Sequence, residues 1–335
     1  MSTTDGVRIF WDSQPSADGY FIYSKTGNTI PYHFVADIPN GEKQVSWMDS
    51  QASENQYSYY WVVPYYYTSS WTKVMGNVSN YVYGIKKKRA VIRSLTTLEL
   101  NAIQAAYSGA PQGFSALPHI PGQYNPYALE INARLARFGA RFFGDTGSNT
   151  IYLTFPSGWE NAPNTSYLLD VMAAEGVKAV FYVTHEYASH NPDLIRRIIR
   201  EGHEIGNHSY AHPADGIPFM PLAEQMNDAL RMQEYMQNNF GYTMRKYNFE
   251  SSVYSDQSVA LMTQMGYEVC FYSFNYSDYD ITKPVDPGTV YNMLMAALAP
   301  GVVYYLHTVS SGNTQALPAF IRDAKARGYQ FAPLP

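Results

Sequence analysis

The chain has 335 residues, a formal net charge of −5 and charged side chains at 15% of its positions. This length allows two domains, and the mildly acidic balance argues against a nucleic-acid partner, because phosphate backbones are bound by clustered lysine and arginine. No stretch is apolar for 18 residues, so no transmembrane segment is expected, and the single cysteine, Cys270, excludes a disulfide within the chain.

The N-terminal part, residues 1–88, is predicted to form a small all-β sandwich. Short runs rich in aromatic and β-branched residues alternate with glycine, proline and asparagine, as strands and turns do in such domains. The runs cover residues 7–11, 19–24, 33–38, 44–49, 56–67 and 77–84.

Part of this pattern resembles the fibronectin type III domain. The resemblance is carried by Trp11 and by residues 19–23 and 57–62, and it implies a spacer or docking module. Two interpretations of residues 65–67 and Trp71 stay open, because their aromatic rings could contact sugars or could pack within the module.

Residues 89–137 are predicted to form a connector with one helix. An amphipathic pattern at 91–107 favours that helix, and the Pro/Gly-rich residues 109–126 are typical of a loop. A basic run at 86–89 is expected to be a solvated edge. A second helical pattern at 127–138 leads into the third region, residues 138–335.

Two histidines four residues apart, His208 and His212, follow a predicted strand at 178–184 and a predicted helix at 191–202. Side chains four apart on a helix or tight turn face the same way. Imidazole is the commonest protein ligand for metal ions, and α/β folds bind ligands beyond the carboxyl ends of their strands. The pair is therefore a candidate half of a metal site, although two ordinary histidines would give the same pattern.

Residues 201–213, with 181–184 before them, resemble the second motif of NodB-type polysaccharide deacetylases, carbohydrate esterase family four. The spore-cortex muramic-acid deacetylase branch is the most similar, and the resemblance covers about residues 138–334. It implies an α/β fold, a distorted (β/α) barrel, and metal-assisted removal of acetyl groups from an N-acetylated glycan such as peptidoglycan.

The resemblance also implies a location outside the cell or in the cell wall. The first six residues lack the basic-then-apolar pattern of a signal peptide. Either a signal segment precedes this start or the protein is not exported by that route, so the cytoplasm and the forespore stay open.

The chain departs from the family at three positions that serve the catalytic base. The family places two aspartates after its first strand, one as the base and one as the third metal ligand, and an arginine in its third motif orients the base. Here those positions hold Pro156, Ser157 and Asn248. Zinc or another divalent metal is therefore expected to bind weakly, or no cofactor is bound.

Other family positions are retained. The resemblance implies that His208 and His212 bind metal, that Asp278 orients the base and that His307 is the general acid. The expected substrate contacts are Trp159, Tyr210, Tyr276 and Tyr279.

Three functions remain open from the sequence. The first is a catalytically impaired homologue that binds glycan. The second is an active metal-dependent deacetylase with a rearranged base, Glu160 or Glu250. The third is a structural or adhesive scaffold.

Overall fold

The computed structural model describes residues 6–26, 32–39, 46–54, 56–86, 91–113, 124 and 126–334. The chain divides into two compact units, Met1–Arg89 and Ala90–Leu334. The predicted basic residues at 87–89 and most of the predicted loop at 109–126 lie outside the described residues. Within the described part, no helix is long and apolar enough to cross a membrane.

The first unit is an antiparallel β structure. Its strands are β1 (Val7–Phe10), β2 (Gly19–Thr26), β3 (His33–Pro39), β4 (Ser46–Asp49), β5 (Tyr57–Tyr67), β6 (Lys73–Met75) and β7 (Val82–Ile85). Strands β1 and β4 pair with each other, and β3-β2-β5-β6 form a second sheet in which β7 also pairs with β5. Strand β6 has only three residues and is absent from the sequence prediction.

Alternation along β2 and β5 sets the core of the first unit. Tyr20 and Ile22 of β2 and Tyr60 and Val62 of β5 are buried together with Val7 of β1. Because successive side chains of a strand point to opposite faces, the residues between them lie on the other face of the larger sheet.

The second unit alternates strands and helices. Its helices are α1 (Thr97–Ala106), α2 (Pro126–Leu135), α3 (Asn164–Ala174), α4 (His185–His190), α5 (Pro192–Arg200), α6 (Leu222–Phe240), α7 (Asp256–Met265), α8 (Pro287–Ala296) and α9 (Ser311–Ala326). Its strands are β8 (Gln112–Gly113), β9 (Thr150–Ser157), β10 (Val180–Val183), β11 (Glu204–Asn207), β12 (Lys246–Tyr247), β13 (Val253–Tyr254), β14 (Glu268–Val269), β15 (Val303–Tyr305) and β16 (Gln330–Phe331).

The main sheet of the second unit is parallel and curls into a half-barrel. Its order is β14-β12-β11-β10-β9-β15, with β16 also on β9. Strand β9 is buried on both faces, with Leu153 and Phe155 in one apolar cluster and Tyr152 in the other. Near-continuous apolar strands are typical of parallel sheets covered on both sides. The predicted α/β fold with a distorted barrel, preceded by a β region, is confirmed.

Parallel strands bring their carboxyl ends to the same edge of a sheet. Strands β9, β11, β12 and β15 therefore deliver Ser157, His208, Asn248 and His307 to one edge. The residues that the sequence analysis selected from distant segments meet there because of this topology.

Candidate active site

A cleft of about 970 Å³ lies at the carboxyl edge of the half-barrel. Its walls come from the loops that follow the strands. The lining residues are Gly113, Pro156, Gly158, Trp159, His208, His212, Ala214, Ser251, Ser252, Val253, Asn275, Tyr276, Ser277, Tyr279, Tyr305, His307 and Val309.

The two histidines of the pair lie side by side in this cleft, with ring centroids 5.4 Å apart. They lie on a loop after β11, in which Ser209 and His212 have left-handed φ values of 73° and 45°. The buried carboxylate of Asp228 holds the loop by accepting the backbone N–H groups of Tyr210 and Ala211, at 2.7 and 2.8 Å. A loop, and no helical turn, therefore brings the two imidazoles together.

Both imidazoles are neutral at neutral pH. Burial, with a contribution from neighbouring His212, lowers the pKa of His208 to about 3, and burial also lowers the pKa of His212. The Nδ1 atom of His208 lies 2.9 Å from the carbonyl oxygen of Asn248. A carbonyl can only accept, so Nδ1 carries the proton and Nε2 keeps a free lone pair, as a metal ligand requires.

The first strand of the sheet ends without a carboxylate. Pro156 lines the cleft and pairs with Tyr182 of β10, and Ser157 pairs with Val183. The Ser157 hydroxyl is buried and donates to the carbonyl oxygen of Phe155 at 3.3 Å. Neither side chain can accept a proton from water at neutral pH.

These donors do not fit the three-ligand metal site that the family resemblance implies. Catalytic zinc sites take three protein ligands, usually imidazoles and carboxylates. Among the described residues, no group of three or more His, Cys, Asp or Glu side chains could hold a metal ion. The cleft offers the two imidazoles of His208 and His212, and the buried Ser157 hydroxyl at the end of β9 does not line it.

His307, the predicted general acid, forms a hydrogen-bonded dyad with Asp278 in the cleft. His307 Nδ1 donates to Asp278 Oδ1 at 2.6 Å, and the His307 backbone N–H donates to Oδ2 at 2.8 Å. The amide of Asn313 donates to the same Oδ2 at 2.7 Å. Asp278 therefore orients His307, and not a base as the resemblance implies. The Nε2 atom of His307 is left for a ligand in the cleft.

Three of the four predicted substrate contacts line the cleft. Trp159 and Tyr279 are exposed at 44% and 62%, and the Tyr276 hydroxyl donates to Asn313 at 2.6 Å. The Tyr279 ring centroid lies 6.0 Å from that of His307.

Tyr210, the fourth predicted contact, does not line the cleft. Its ring stacks on His185, with centroids 4.1 Å apart, and the Arg231 guanidinium lies 3.9 Å from its centroid. Tyr210 therefore packs against His185 and Arg231, and its contact with the Arg231 guanidinium is a cation–π interaction.

Asn248, which stands where the family has the base-orienting arginine of its third motif, is fully buried. Its amide donates to the carbonyl oxygen of Cys270 at 2.8 Å, so the side chain ties β12 to the residue after β14. An amide cannot supply the positive charge that would hold a base ionised.

One wall of the cleft, formed by Ser251 and Ser252, was not predicted from the sequence. Ser251 and Ser252 both adopt left-handed φ values, 55° and 53°, which are uncommon away from glycine. The Ser252 hydroxyl bonds the hydroxyl of Tyr272, whose ring stacks on Tyr305 at 4.1 Å. The only signal in the sequence is that these serines follow the third-motif segment.

Neither of the two glutamates predicted as substitute bases, Glu160 and Glu250, lines the cleft. The Glu160 carboxylate accepts from Thr165 and from the Tyr187 hydroxyl. Glu250 is fully buried and accepts the backbone N–H of Ile217 at 2.6 Å. Burial raises the pKa of Glu250 to about 8.

Comparison with known proteins gives a consistent result. The polysaccharide deacetylase family model matches residues 143–270. The peptidoglycan-N-acetylmuramic acid deacetylase PdaA of Bacillus subtilis is 32% identical over 206 residues, covering 60% of this chain and 76% of that protein. A peptidoglycan-N-acetylglucosamine deacetylase of Bacillus cereus is 26% identical over 218 residues, covering 64% and 75%.

A solved structure supports the same assignment. The structure of Bacillus subtilis PdaA, a family 4 carbohydrate esterase, matches with a TM-score of 0.64 and 29% identity. It covers 68% of this chain and 96% of that one. The chain therefore belongs to the polysaccharide deacetylase family, carbohydrate esterase family 4.

Proposed function

We propose that the second unit binds an N-acetylated glycan of the peptidoglycan type and is severely impaired in removing its acetyl groups. The observation that carries this proposal is the end of β9, where Pro156 and Ser157 follow the strand. General base catalysis typically contributes about 10²–10⁴-fold in rate, and neither residue supplies it. The relatives named above are peptidoglycan deacetylases, which supports both the glycan class and a site of action in the cell wall.

The shape of the cleft supports retained binding. Trp159 and Tyr279 present large exposed aromatic surfaces beside the open cleft. Ligand-binding clefts are typically lined by aromatic side chains with a few polar groups that fix the orientation of the ligand. The His307–Asp278 dyad adds an oriented polar group that can bond a sugar hydroxyl or an acetamido group.

The alternative of an active deacetylase is favoured by the retained His208, His212 and His307. It needs a carboxylate base, and the two candidates are poorly suited. Glu160 is held by Thr165 and Tyr187, and Glu250 holds its proton at neutral pH because burial raises its pKa to about 8.

The test compares binding and turnover in the same samples. Calorimetry would measure binding of soluble muropeptides and chitooligosaccharides to the full chain, to Trp159→Ala and to Tyr167→Ala. Tyr167 is an exposed aromatic residue on α3 that does not line the cleft, so it is the matched control. We expect Trp159→Ala to weaken binding at least about tenfold, as truncating an interface aromatic typically does, with Tyr167→Ala unchanged.

Acetate release would be measured on the same glycans with and without added zinc. The proposal expects release no faster than from His307→Ala. Release that is zinc-dependent and lost in His307→Ala would refute the impairment and establish the active alternative. Absence of any glycan binding would leave the scaffold interpretation.

A further inference from the structure

The outer face of the larger sheet in the first unit is aromatic. On β2, the residues between the buried ones are Phe21, Tyr23 and Lys25, and on β5 they include Tyr59 and Trp61. The register pairs Tyr23 with Trp61 and Lys25 with Tyr59, so these side chains share one face. The solvated face of an antiparallel sheet is normally polar, and this one is not.

The rings on this face form a connected ladder. At one end, Tyr32 stacks on Trp61 at 4.8 Å, Trp61 contacts Tyr81 at 5.8 Å, and Tyr59 contacts Tyr83 at 5.9 Å. Tyr81 and Tyr83 remain 56% and 60% exposed. These rings are in stacked and tilted contact with one another, so each ring restricts its neighbour's rotamers and less side-chain freedom is lost on binding.

The ladder continues toward the other end of the sheet. Phe34 contacts Phe21 at 5.8 Å, Phe21 contacts Tyr65 at 4.7 Å, and Tyr67 contacts Trp71 at 5.6 Å. Strand β5 has 11 residues, so the ladder spans roughly 35 Å at about 3.4 Å per residue, with exposed rings at both ends and the buried Tyr65 between them. Such a length suits an extended polymer better than a small molecule.

The charges on this face are few and partly cancelled. Lys73 pairs with Asp37 and lies 4.0 Å from the Tyr65 ring centroid, and Lys25 lies 5.3 Å from the Tyr59 centroid. A nucleic-acid or anionic membrane surface is recognised through clustered basic residues. The net charge of these three groups is one positive charge, which matches an uncharged or weakly charged ligand.

We propose that this aromatic ladder is a polysaccharide-binding platform for an N-acetylated glycan polymer of the peptidoglycan or chitin type. A pyranose ring has an apolar face that packs flat on an aromatic ring and hydroxyl groups around its edge. The ladder is built from tyrosine and tryptophan, whose rings carry both an apolar face and a polar tip. The ladder belongs to the first unit and the cleft to the second. The ladder would therefore bind an insoluble substrate through residues that the cleft does not use.

The test uses the full chain and co-sedimentation with insoluble peptidoglycan and with chitin. The platform variant is Tyr81→Ser with Tyr83→Ser, and Phe34→Ser tests the other end of the ladder. The matched control is Tyr127→Ser with Tyr167→Ser, two exposed tyrosines of the second unit. The series is repeated with Trp159→Ala, which separates the contribution of the cleft.

We expect the platform variant to bind the insoluble polymers at least about tenfold more weakly, since truncation of aromatic contacts usually dominates such losses, with short oligosaccharide binding unchanged. The control should bind like wild type. Equal polymer binding by wild type, both ladder variants and control would overturn the proposal, even if Trp159→Ala shows that the cleft binds.

Sedimentation velocity completes the test. A wild-type dimer that becomes a monomer in the platform variant, without polymer binding, would show a self-association surface and would also overturn the proposal. Tryptophan fluorescence reports mainly the folding of the first unit, because four of the five tryptophans, Trp11, Trp47, Trp61 and Trp71, lie there and only Trp159 lies in the second. Reduced binding counts in favour only for a variant whose fluorescence and urea midpoint show a folded first unit.

Discussion

Replacing Glu250 with glutamine should change the pH dependence of stability in a defined direction. The Glu250 side chain is fully buried, and burial raises its pKa from 4.5 to about 8. Between these values the folded protein holds a proton that the unfolded chain has released. The stabilisation is fully present below pH 4.5 and is lost as the pH rises through 8.

The size of the effect follows from the pKa difference. Each pH unit in this window lowers the free energy of unfolding by up to about 1.4 kcal/mol, so the loss from pH 5 to pH 7 is roughly 2 to 3 kcal/mol. Glu250→Gln keeps an acceptor for the Ile217 N–H and removes the titration. The stability of the variant relative to wild type should therefore rise by that amount over the same pH range.

Urea unfolding followed by circular dichroism at 222 nm would measure this difference. All helices of the described residues lie between Thr97 and Ala326, so the helical signal reports on the second unit. The exposed Glu130 on α2 provides the control, Glu130→Gln, because its side chain stays in solvent in both states. A constant difference between Glu250→Gln and wild type from pH 5 to pH 8 would show that Glu250 is not neutral.

Three further outcomes are expected. Burial lowers the pKa of His203 to about 4. The free energy of unfolding of wild type should therefore fall by up to roughly 3 kcal/mol between pH 6.5 and pH 4. In urea titrations, that of His203→Asn should fall by less over the same range. Gly206→Ala places a Cβ 2.4 Å from the Tyr182 ring and should lower the free energy of unfolding by about 1–3 kcal/mol. Pro156→Asp with Ser157→Asp should bind zinc, shown by a zinc-dependent rise in Tm, and should gain acetate release of about 10²-fold or more. An unchanged Tm with zinc would contradict the assigned ligand geometry.

Local patterns were enough to predict the central part of the second unit. The predicted strand at 178–184 and helix at 191–202 correspond to β10 and α5 within two residues at each end. Continuous apolar residues and the Asn191-Pro192 start carry those signals in a short window. The family motif then linked His208, His212 and His307 before any geometry was available.

Contacts between distant segments were not predictable from the same patterns. Asp278 and His307 are 29 positions apart, and nothing in either segment shows which partner the carboxylate takes. Tyr210 lies two residues from His208, but its packing depends on Arg231 of α6. The loop that carries the left-handed residues Ser209 and His212 is likewise held by a distant group, because the Asp228 carboxylate on α6 accepts the N–H groups of Tyr210 and Ala211 between them.

The pattern of losses and retention in the cleft has a physical explanation that bears on function. The missing groups lie at the ends of β9 and β12, and the retained dyad lies beside β15. A buried carboxylate such as Asp278 is tolerated because three N–H donors satisfy it. The dyad therefore stabilises its own loops whether or not chemistry occurs, so its retention is weak evidence for turnover.

The exposed aromatic side chains carry the stronger functional signal. Trp159 and Tyr279 remain 44% and 62% exposed, so part of each ring is left uncovered by the fold. The same holds for Tyr81 and Tyr83 on the ladder of the first unit. Exposed rings at both places gain most from a ligand that covers them. Exposed aromatic surface beside a cleft whose first strand ends in Pro156 and Ser157 is therefore the observation that supports the proposed glycan binding.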